Sequence, residues 1–237
     1  MSIATEISRI QSAKADIKAA IEAKGVTVPS SATIDTYDDY VSQISGGGGG
    51  ITMPSNLSAA TLNDYGLLTS AAIKSGVTSI GSYAFSNCKS LSSIEIPDSV
   101  TSIGNNAFSN CTSLSSCTIG SGVTSIDNYA FYYCSKLTNV TIPNSVTSIG
   151  GSTFRYCSSL TSIDIPSGVT SIGGQAFYNC SSLSSITVNA VTPPTLGSSV
   201  FNNTNNCPIY VPAESVDAYK SATNWSTYAS RIQAIPT

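Results

Sequence analysis

Cysteine is the residue type in this chain whose number and spacing could most readily support chemistry. The sequence contains seven cysteines and no histidine, which removes Ser-His-Asp and Cys-His catalysis and the commonest metal ligand. A zinc site needs clustered ligands such as Cys-x-x-Cys, and the sequence has no such pair. Five cysteines instead recur at one fixed interval, at Cys88, Cys111, Cys134, Cys157 and Cys180.

This regular spacing predicts buried, structural thiols that act as small apolar side chains with weak S–H donors. Cys117 takes the place of an isoleucine in another series of the same interval. Thiols lying side by side in parallel repeats suit the torsions of a disulfide poorly. Cys207 lies outside the series, and we therefore expect it to be the exposed or otherwise distinct thiol.

The carboxylates do not form a catalytic pair. Glu95 and Asp164 occupy equivalent positions three repeats apart, which places them roughly 14 Å from each other at the spacing of parallel strands. A glycosidase pair needs about 5–9.5 Å. The glycines at 46–50 lack the Lys-Ser/Thr that follows a phosphate-binding loop. We expect no catalytic residue, no cofactor and no metal site, and thus a protein that is not an enzyme.

The interval of 23 residues that separates the cysteines recurs through most of the sequence. VTSIG or VTSID begins at Val77 and returns four times with the same period, and each copy is followed by Phe, Cys and Leu at fixed distances. We call each set of residues related by this period a column. The phenylalanine column is Phe85, Phe108, Phe131, Phe154 and Phe177. Phe201 is one residue out of register, as expected of a degrading terminal repeat.

Each leucine opens the pattern L-x-x-I-x-I, the strand half of a leucine-rich repeat. The pattern extends from Ala71 and Ile73 to Ile209 and Val211, so that seven repeats share one strand position. Because one repeat cannot bury its own apolar face, each must stack between neighbours. The sequence predicts an α/β repeat solenoid with a parallel strand ladder, roughly 30 Å long at about 4.8 Å per strand.

The units VTSIG…AF..C..L..I.IP, from Leu68 to about Pro212, resemble the BspA-like leucine-rich repeat family. The stretch that follows resembles the C-terminal cap of such arrays, with a short helix at 213–222 and with Trp225 and Tyr228 covering the end of the core. We therefore predict a helical segment at 1–45, a Gly-rich linker and lead-in at 46–67, the solenoid at 68–212 and the cap at 213–237.

The N-terminal segment reads as a helix at 3–24 and a second short helix at 34–44. The apolar residues of the first follow a heptad, with one polar member, and Ile at both core positions favours trimers or tetramers. This candidate oligomerisation seam is Ile3, Ile7, Ile10, Lys14, Ile17 and Ile21. A helical hairpin within one chain and a coiled coil between chains both remain open. The segment resembles N-terminal regions of tail-associated and fibre-like proteins of phages that infect gut bacteria.

Ligand binding is expected where the columns vary. Two adjacent columns change from Ser and Asn to aromatic and basic residues in the middle of the array, the composition of interface hot spots and adaptable paratopes. The candidate ligand-binding residues are Tyr129, Tyr132, Tyr133, Arg155, Tyr156 and Tyr178. These tyrosines could instead merely shield the segment after each Phe. A second candidate surface is the outward-facing strand column from Glu95 to Tyr210.

Composition limits the classes of partner. Charged residues make up 10% of the chain, the net charge is −3, and there is no basic stretch, so binding to nucleic acid is not expected. No apolar run approaches the ~20 residues of a membrane span, and MSIATEISRI lacks the features of a secretory signal.

We therefore hypothesise a non-enzymatic attachment protein of a phage virion. Residues 1–45 would bind other virion or surface proteins and form a homo-oligomer, most simply a trimer, and the repeats would bind a bacterial surface protein or glycan. The alternatives are a bacterial cell-surface adhesin of the same repeat family, which binds a host or microbial protein or glycan, and a purely structural spacer.

Overall fold

The computed structural model describes residues 70–73 and 76–236. The chain divides into two compact units, Met1–Leu68 and Thr69–Thr237, and every described residue belongs to the second. The predictions for residues 1–67, namely the two helices, the heptad seam from Ile3 to Ile21 and the linker, lie outside the described residues.

The predicted strand ladder is confirmed. Seven strands run parallel at the register of the sequence period, for example with Glu95 paired to Thr118, and in the strands Ser93–Ile96 and Ser116–Ile119 the side chains alternate between exposed and buried. The strands are β1 (Ser70–Ala72), β3 (Ser93–Ile96), β5 (Ser116–Ile119), β7 (Asn139–Thr141), β9 (Ser162–Ile165), β11 (Ser185–Val188) and β13 (Ile209–Val211). An eighth strand, β14 (Ile232–Ala234), adds to β13. The sequence analysis assigned β14 to the cap, although Ile232 stands one full period after Ile209.

A second parallel ladder, which the sequence pattern did not predict, is formed by the five VTSIG or VTSID segments and by the equivalent segment at Thr195–Leu196. Each segment contributes a two-residue strand whose Ile or Leu is buried, and the six strands form one continuous sheet. They are β2 (Ser79–Ile80), β4 (Ser102–Ile103), β6 (Ser125–Ile126), β8 (Ser148–Ile149), β10 (Ser171–Ile172) and β12 (Thr195–Leu196). The first ladder, in contrast, consists of two four-stranded sheets, with β7 ending one and β9 beginning the other.

Turns, not helices, connect the two ladders in each described repeat. Alternate amides bond within the repeat and to the next repeat: Cys134 N donates to Phe131 O (3.2 Å), and Tyr133 N donates to Arg155 O (2.9 Å). At least two residues in each of these turn segments have positive φ, which interrupts any right-handed helix. The α-helix of the described residues, α1 (Val216–Ser221), lies in the cap.

A continuous stack of phenylalanine rings runs through the core. Successive rings lie nearly parallel with centroids 5.1–5.3 Å apart from Phe85 to Phe177, within the range of favourable offset stacking. Phe201 continues the stack at 5.7 Å. One residue is inserted before it, since Ser171 pairs with Thr195, and the strand register is restored where Ile186 pairs with Ile209.

The predicted cap closes this stack. Short 3-10 helices, Ala213–Ser215 and Trp225–Arg231, flank α1 and the turn that follows it. The rings of Trp225 and Tyr228 lie 5.7 and 5.5 Å from that of Phe201, and both residues are buried. Their polar atoms are satisfied, since Trp225 Nε1 donates to Pro194 O (2.8 Å) and Tyr228 Oη donates to Asn202 Oδ1 (2.8 Å). Within the described residues, no helix has the length and apolar character required to cross a membrane.

Substitution of Gly173 tests how closely the repeats stack. A Cβ at Gly173 would lie 2.3 Å from the backbone nitrogen of Gly151, whereas a Cβ at Gly174 would meet its nearest neighbour at 3.5 Å. We expect Gly173→Ala to lower the free energy of unfolding by ~1–3 kcal/mol, because backbone must move apart. Gly174→Ala is the matched control and should leave it nearly unchanged. Urea unfolding measures both, and equal losses would contradict the proposed packing.

Candidate binding surface on the turns

The cysteine column forms a buried ladder, as predicted, and not a reactive site. All seven cysteines are free and buried. Each thiol of the column from Cys111 onward donates a hydrogen bond to a phenylalanine carbonyl of an earlier repeat, for example Cys134 Sγ to Phe108 O (3.2 Å) and Cys157 Sγ to Phe131 O (3.3 Å). The thiol thus gives a second hydrogen bond to a carbonyl of the preceding repeat, which already accepts one from a backbone amide of its own repeat.

A hydrogen bond with Cys111 lowers the pKa of Cys88, but burial keeps the other thiols protonated. It raises the pKa of Cys117 to about 12, and it raises the pKa of Cys134 and Cys180 above the ordinary thiol value. Since the thiolate is the nucleophile and the metal ligand, these groups are chemically inert at neutral pH. In the part of the chain that the structure describes, no three Cys, Asp or Glu side chains form a group able to hold a metal ion.

Cys207 is distinct but not exposed, and the expectation of an exposed thiol is wrong. It is 5% exposed, because Arg231 of the cap covers it. The Arg231 guanidinium donates to Cys207 O (2.8 Å), to Phe201 O (3.1 Å) and to Thr204 Oγ1 (2.8 Å). Burial raises the pKa of this thiol, although the Arg231 charge opposes the rise.

The structure brings all six candidate binding residues together on the turns of three consecutive repeats. We call this set, Tyr129, Tyr132, Tyr133, Arg155, Tyr156 and Tyr178, the tyrosine cluster. Its rings meet edge to face or tilted, with centroids 5.4 Å apart for Tyr133 and Tyr156 and 5.8 Å apart for Tyr132 and Tyr156. Tyr129 and Tyr133 are 42% and 44% exposed, so the cluster presents aromatic surface to solvent.

Arg155 lies at the centre of the tyrosine cluster. Its guanidinium carbon is 4.9 Å from the ring centroid of Tyr156 and 5.0 Å from that of Tyr178, within the range of cation–π attraction. Arg155 Nη1 donates to Gln175 Oε1 (2.8 Å), and Nη2 donates to Tyr156 Oη (3.3 Å). The hydrogen bond to Tyr156 raises the pKa of Arg155, so the cation is fixed in charge and orientation.

A shallow groove of about 360 Å³ lies beside the cluster. Each residue that lines it carries a hydroxyl or an amide: Tyr133, Ser135, Tyr156, Ser158, Asn179 and Ser181. The sequence analysis did not name Gln175, Asn179 or the three serines as site residues. Small polar residues recur throughout the repeats, so nothing in the pattern set these apart.

Several tyrosines of the cluster have an unfavourable backbone conformation. Tyr129, Tyr133 and Tyr156 have φ of 58°, 59° and 64°, in the left-handed region that side chains other than Asn and Asp rarely adopt. In the column of Tyr133 and Tyr156 the other repeats have asparagine, at Asn87, Asn110, Asn179 and Asn203, all with positive φ. The recurrent asparagine was a readable signal of left-handed backbone. Tyrosine at these positions strains the backbone, and strain of this kind clusters at functional sites.

The second candidate surface, the outward strand column, is also exposed. Glu95, Thr118, Thr141 and Asp164 point to solvent, and Thr187 and Tyr210 are partly exposed. A polar hollow of about 260 Å³ lies between β7 and β9, where the first ladder changes from one sheet to the other. Asp164 in this hollow accepts a hydrogen bond from the side chain of Asn189. No aromatic residue lines the hollow.

Comparison with known protein families identifies the repeat. The model of the BspA type leucine-rich repeat region matches residues 55–183 and 147–233 in six copies, which is well over half of the chain. This chain belongs to the BspA-type leucine-rich repeat family. The resemblance inferred from the VTSIG units is thereby confirmed.

Solved structures of bacterial leucine-rich repeat proteins share the fold. The BspA-type chain superposes on TpLRR of T. pallidum with a TM-score of 0.57 and 29% identity, over 60% of this chain and 68% of that one. A leucine-rich repeat protein of Bacteroides ovatus gives 0.56 and 31%, over 60% of this chain but only 37% of that one. The pneumococcal vaccine antigen PcpA, at 0.51 and 18%, over 70% of this chain and 40% of that one, shares the fold alone. No match was found among curated proteins.

The stability of this BspA-type chain should fall as the pH rises above about 9. Thiols of the unfolded chain ionise near pH ~8.5, whereas the pKa of Cys117 in the folded chain is raised to about 12. The stabilisation is therefore complete below the unfolded pKa and is lost as the pH rises toward the folded one, by about 1.4 kcal/mol per pH unit for each such thiol.

Urea unfolding midpoints measured from neutral to alkaline pH test this expectation. Cys117→Val, which introduces the residue that the same column has at Val140, removes one titrating thiol. The variant should lose stability less steeply with pH than the parent chain. A midpoint that stays constant above pH ~9, or identical slopes for the two proteins, would show that burial does not hold these thiols protonated.

Tyr133→Asn should change the free energy of unfolding by no more than about 0.5 kcal/mol in either direction, because relief of the left-handed backbone offsets the lost ring contacts. Tyr132→Asn is the matched control, since Tyr132 is absent from the left-handed residues. It should lose about 1–2 kcal/mol of ring contacts with no compensation. Urea unfolding compares the two, and equal losses would remove the argument from backbone strain.

Proposed function

We propose that this chain is a non-enzymatic binding protein of a bacterial cell surface and that the tyrosine cluster is its ligand-binding surface. The observation that carries the proposal is the placement of Tyr133 and Tyr156 at left-handed positions where four other repeats have asparagine. The framework does not need an aromatic ring there, since Asn87, Asn110, Asn179 and Asn203 build the same turn without one. A ligand gives a physical reason for the substitution.

The composition of the cluster supports binding. Tyrosine and arginine dominate interface hot spots, because they provide a large contact area together with polar tips at a small loss of side-chain entropy. Here the rings are already held against one another and against Arg155, so less freedom remains to be lost on binding. The buried, protonated thiols and the absence of a metal-ligand group among the described residues support a role without catalysis.

The family supports the location at a cell surface. The T. pallidum and B. ovatus structures are both of bacterial leucine-rich repeat proteins, and an adhesin of this repeat family is the function that the resemblance implies. A surface of Ser, Thr and Asn with 10% charged residues fits a protein that acts outside the cytosol. The ligand is then a host or microbial surface molecule.

Attachment of a phage particle is the second candidate. The observation that favours it is the resemblance of residues 1–45 to fibre-associated segments, and the assembly of those residues into a trimer stays a prediction. Several solenoids held together would strengthen weak single-site binding. Detection of the chain in purified particles would favour this reading, and antibody labelling of intact bacteria would favour the cell surface.

The binding test replaces cluster residues by those that other repeats have in the same columns. Tyr132→Ser, Arg155→Ser and Tyr156→Asn, combined in the full-length chain, restore residues of the type found at Ser109 and Asn110. We expect the binding of this variant, labelled with a fluorophore, to bacterial and epithelial cells to be about tenfold or more weaker than that of the parent chain, as measured by flow cytometry.

The matched control changes the other exposed surface. Glu95→Thr with Asp164→Thr introduces the threonine that the strand column has at Thr118 and Thr141, and it should leave cell binding intact. Loss of binding in this control, with full binding by the cluster variant, would move the site to the strand face. Unchanged binding in both would place the site elsewhere on the chain, whereas absence of binding by the parent chain would favour a structural spacer.

A further inference from the structure

We propose that the tyrosine cluster binds an acidic glycan, with the sugar carboxylate held by Arg155 and the sugar ring packed in the groove beside Tyr156. This inference rests on the proposed function of the cluster and names the chemical class of its ligand. It depends on three features of the described residues: an arginine without a carboxylate partner, its fixed orientation, and the polar lining of the adjoining groove.

The charge of Arg155 has no counter-charge among the described residues around it. The groups that act on it electrostatically are the side chains of Tyr156, Tyr132 and Tyr178, and no carboxylate is among them. Of the five N–H groups of a guanidinium, two donate to Gln175 and Tyr156. The Nε atom is buried without a hydrogen-bond partner, which leaves the second N–H of Nη1 and of Nη2. A fixed cation with unused donors suits a carboxylate, which arginine binds through charge-assisted hydrogen bonds.

Arg231 of the same chain is an arginine with a structural role, and its hydrogen bonds differ from those of Arg155. Its Nε, Nη1 and Nη2 atoms all donate to Cys207, Phe201 or Thr204, so its donors are spent on the carbonyls and hydroxyl of the cap. Arg155 makes no bond to a main-chain carbonyl through its guanidinium. Its column has serine at Ser86 and Ser109, so the repeat does not require arginine there.

The guanidinium is also held in place before a ligand arrives. It lies 4.9 Å from the Tyr156 ring and 5.0 Å from the Tyr178 ring, and Gln175 bonds its Nη1 atom. Ordering a long side chain on binding weakens the affinity of a flexible site, and here most of that loss is already incurred on folding.

The groove favours a sugar over a polypeptide. Tyr156 belongs both to the groove and to the contact with Arg155, so a ligand in the groove reaches the cation. Every lining side chain has a hydroxyl or an amide, which suits a polyhydroxylated ring whose apolar face packs on tyrosine. Protein hot spots bind in well-packed, desolvated pockets, and no aliphatic side chain lines this groove.

The test uses polygalacturonate and polysialic acid as probes, with their methyl esters as neutral counterparts of the same backbone. Surface plasmon resonance with the full-length chain should show binding to at least one acid polymer and at least about tenfold weaker binding to its ester, the effect of losing a charge-assisted hydrogen bond. Equal binding to acid and ester would overturn the proposal, because the carboxylate would then not be recognised.

Two variants separate a specific site from general attraction between opposite charges. Arg155→Ser should reduce binding of the acid polymer about tenfold or more. Lys136→Ser removes an equal charge from an exposed position of a neighbouring turn, in a column that has Ser113 and Ser159, and should leave binding unchanged. Equal losses in both variants would overturn the proposal.

Further outcomes of these binding experiments distinguish a failure of this inference from a failure of the proposed function. Equal affinity for polyglutamate would identify an acidic polypeptide as the ligand and overturn the glycan assignment. Failure to bind either acid polymer, together with cell binding that still depends on Tyr132, Arg155 and Tyr156, would overturn the acidic-glycan class and leave the binding role of the cluster in place. If neither acid polymer binds and cell binding does not depend on Tyr132, Arg155 and Tyr156, both this inference and the proposed function are overturned.

Discussion

Burial between neighbouring repeats is the constraint on which this structure depends. A single repeat makes a loop only two strands across, so its Val, Ile, Phe and Leu side chains are covered only when another repeat lies above and below. The phenylalanine rings stack at 5.1–5.3 Å, and the four column thiols from Cys111 to Cys180 each bond a carbonyl of the preceding repeat. Both features require that neighbouring repeats keep one register. The inserted residue of the described repeats lies before Phe201, next to the cap, where Trp225 and Tyr228 pack on the Phe201 ring.

The same constraint leaves some positions free to vary. Side chains that point inward must match those of the neighbouring repeats, whereas side chains that point outward from the turns contact mainly solvent. The left-handed turn positions are intermediate, because their backbone is fixed but their side chains point outward. Asparagine satisfies the backbone most easily. Where tyrosine replaces it, at Tyr133 and Tyr156, the change does not improve the framework, and this is why we assign the surface to binding.

Stability and recognition are therefore distributed over different columns of one array. The thiols, which at first suggest chemistry, belong to the framework, because burial raises their pKa and removes the reactive thiolate. The arginine of the cap and the arginine of the solenoid also differ in role, one in stability and the other in recognition. Arg231 satisfies main-chain carbonyls at the end of the stack, and Arg155 lies among tyrosines on the surface with donors still unused.

The cap was predicted from the resemblance of the C-terminal stretch to those of BspA-like arrays, whereas the period, readable in the sequence, determined the fold, the seven-strand ladder and the buried cysteine column, because a solenoid repeats in space whatever repeats in sequence. It also predicted which columns vary and hence the six residues of the tyrosine cluster. The second ladder, the strand at Ile232–Ala234 and the burial of Cys207 were decided by tertiary structure. Two-residue strands are too short to show alternation, and Arg231 reaches Cys207 only after the cap has folded back. The left-handed tyrosines and the isolation of Arg155 from carboxylates also required the structure, since backbone angles and through-space neighbours are set by packing between repeats and not by the order of residues along the chain.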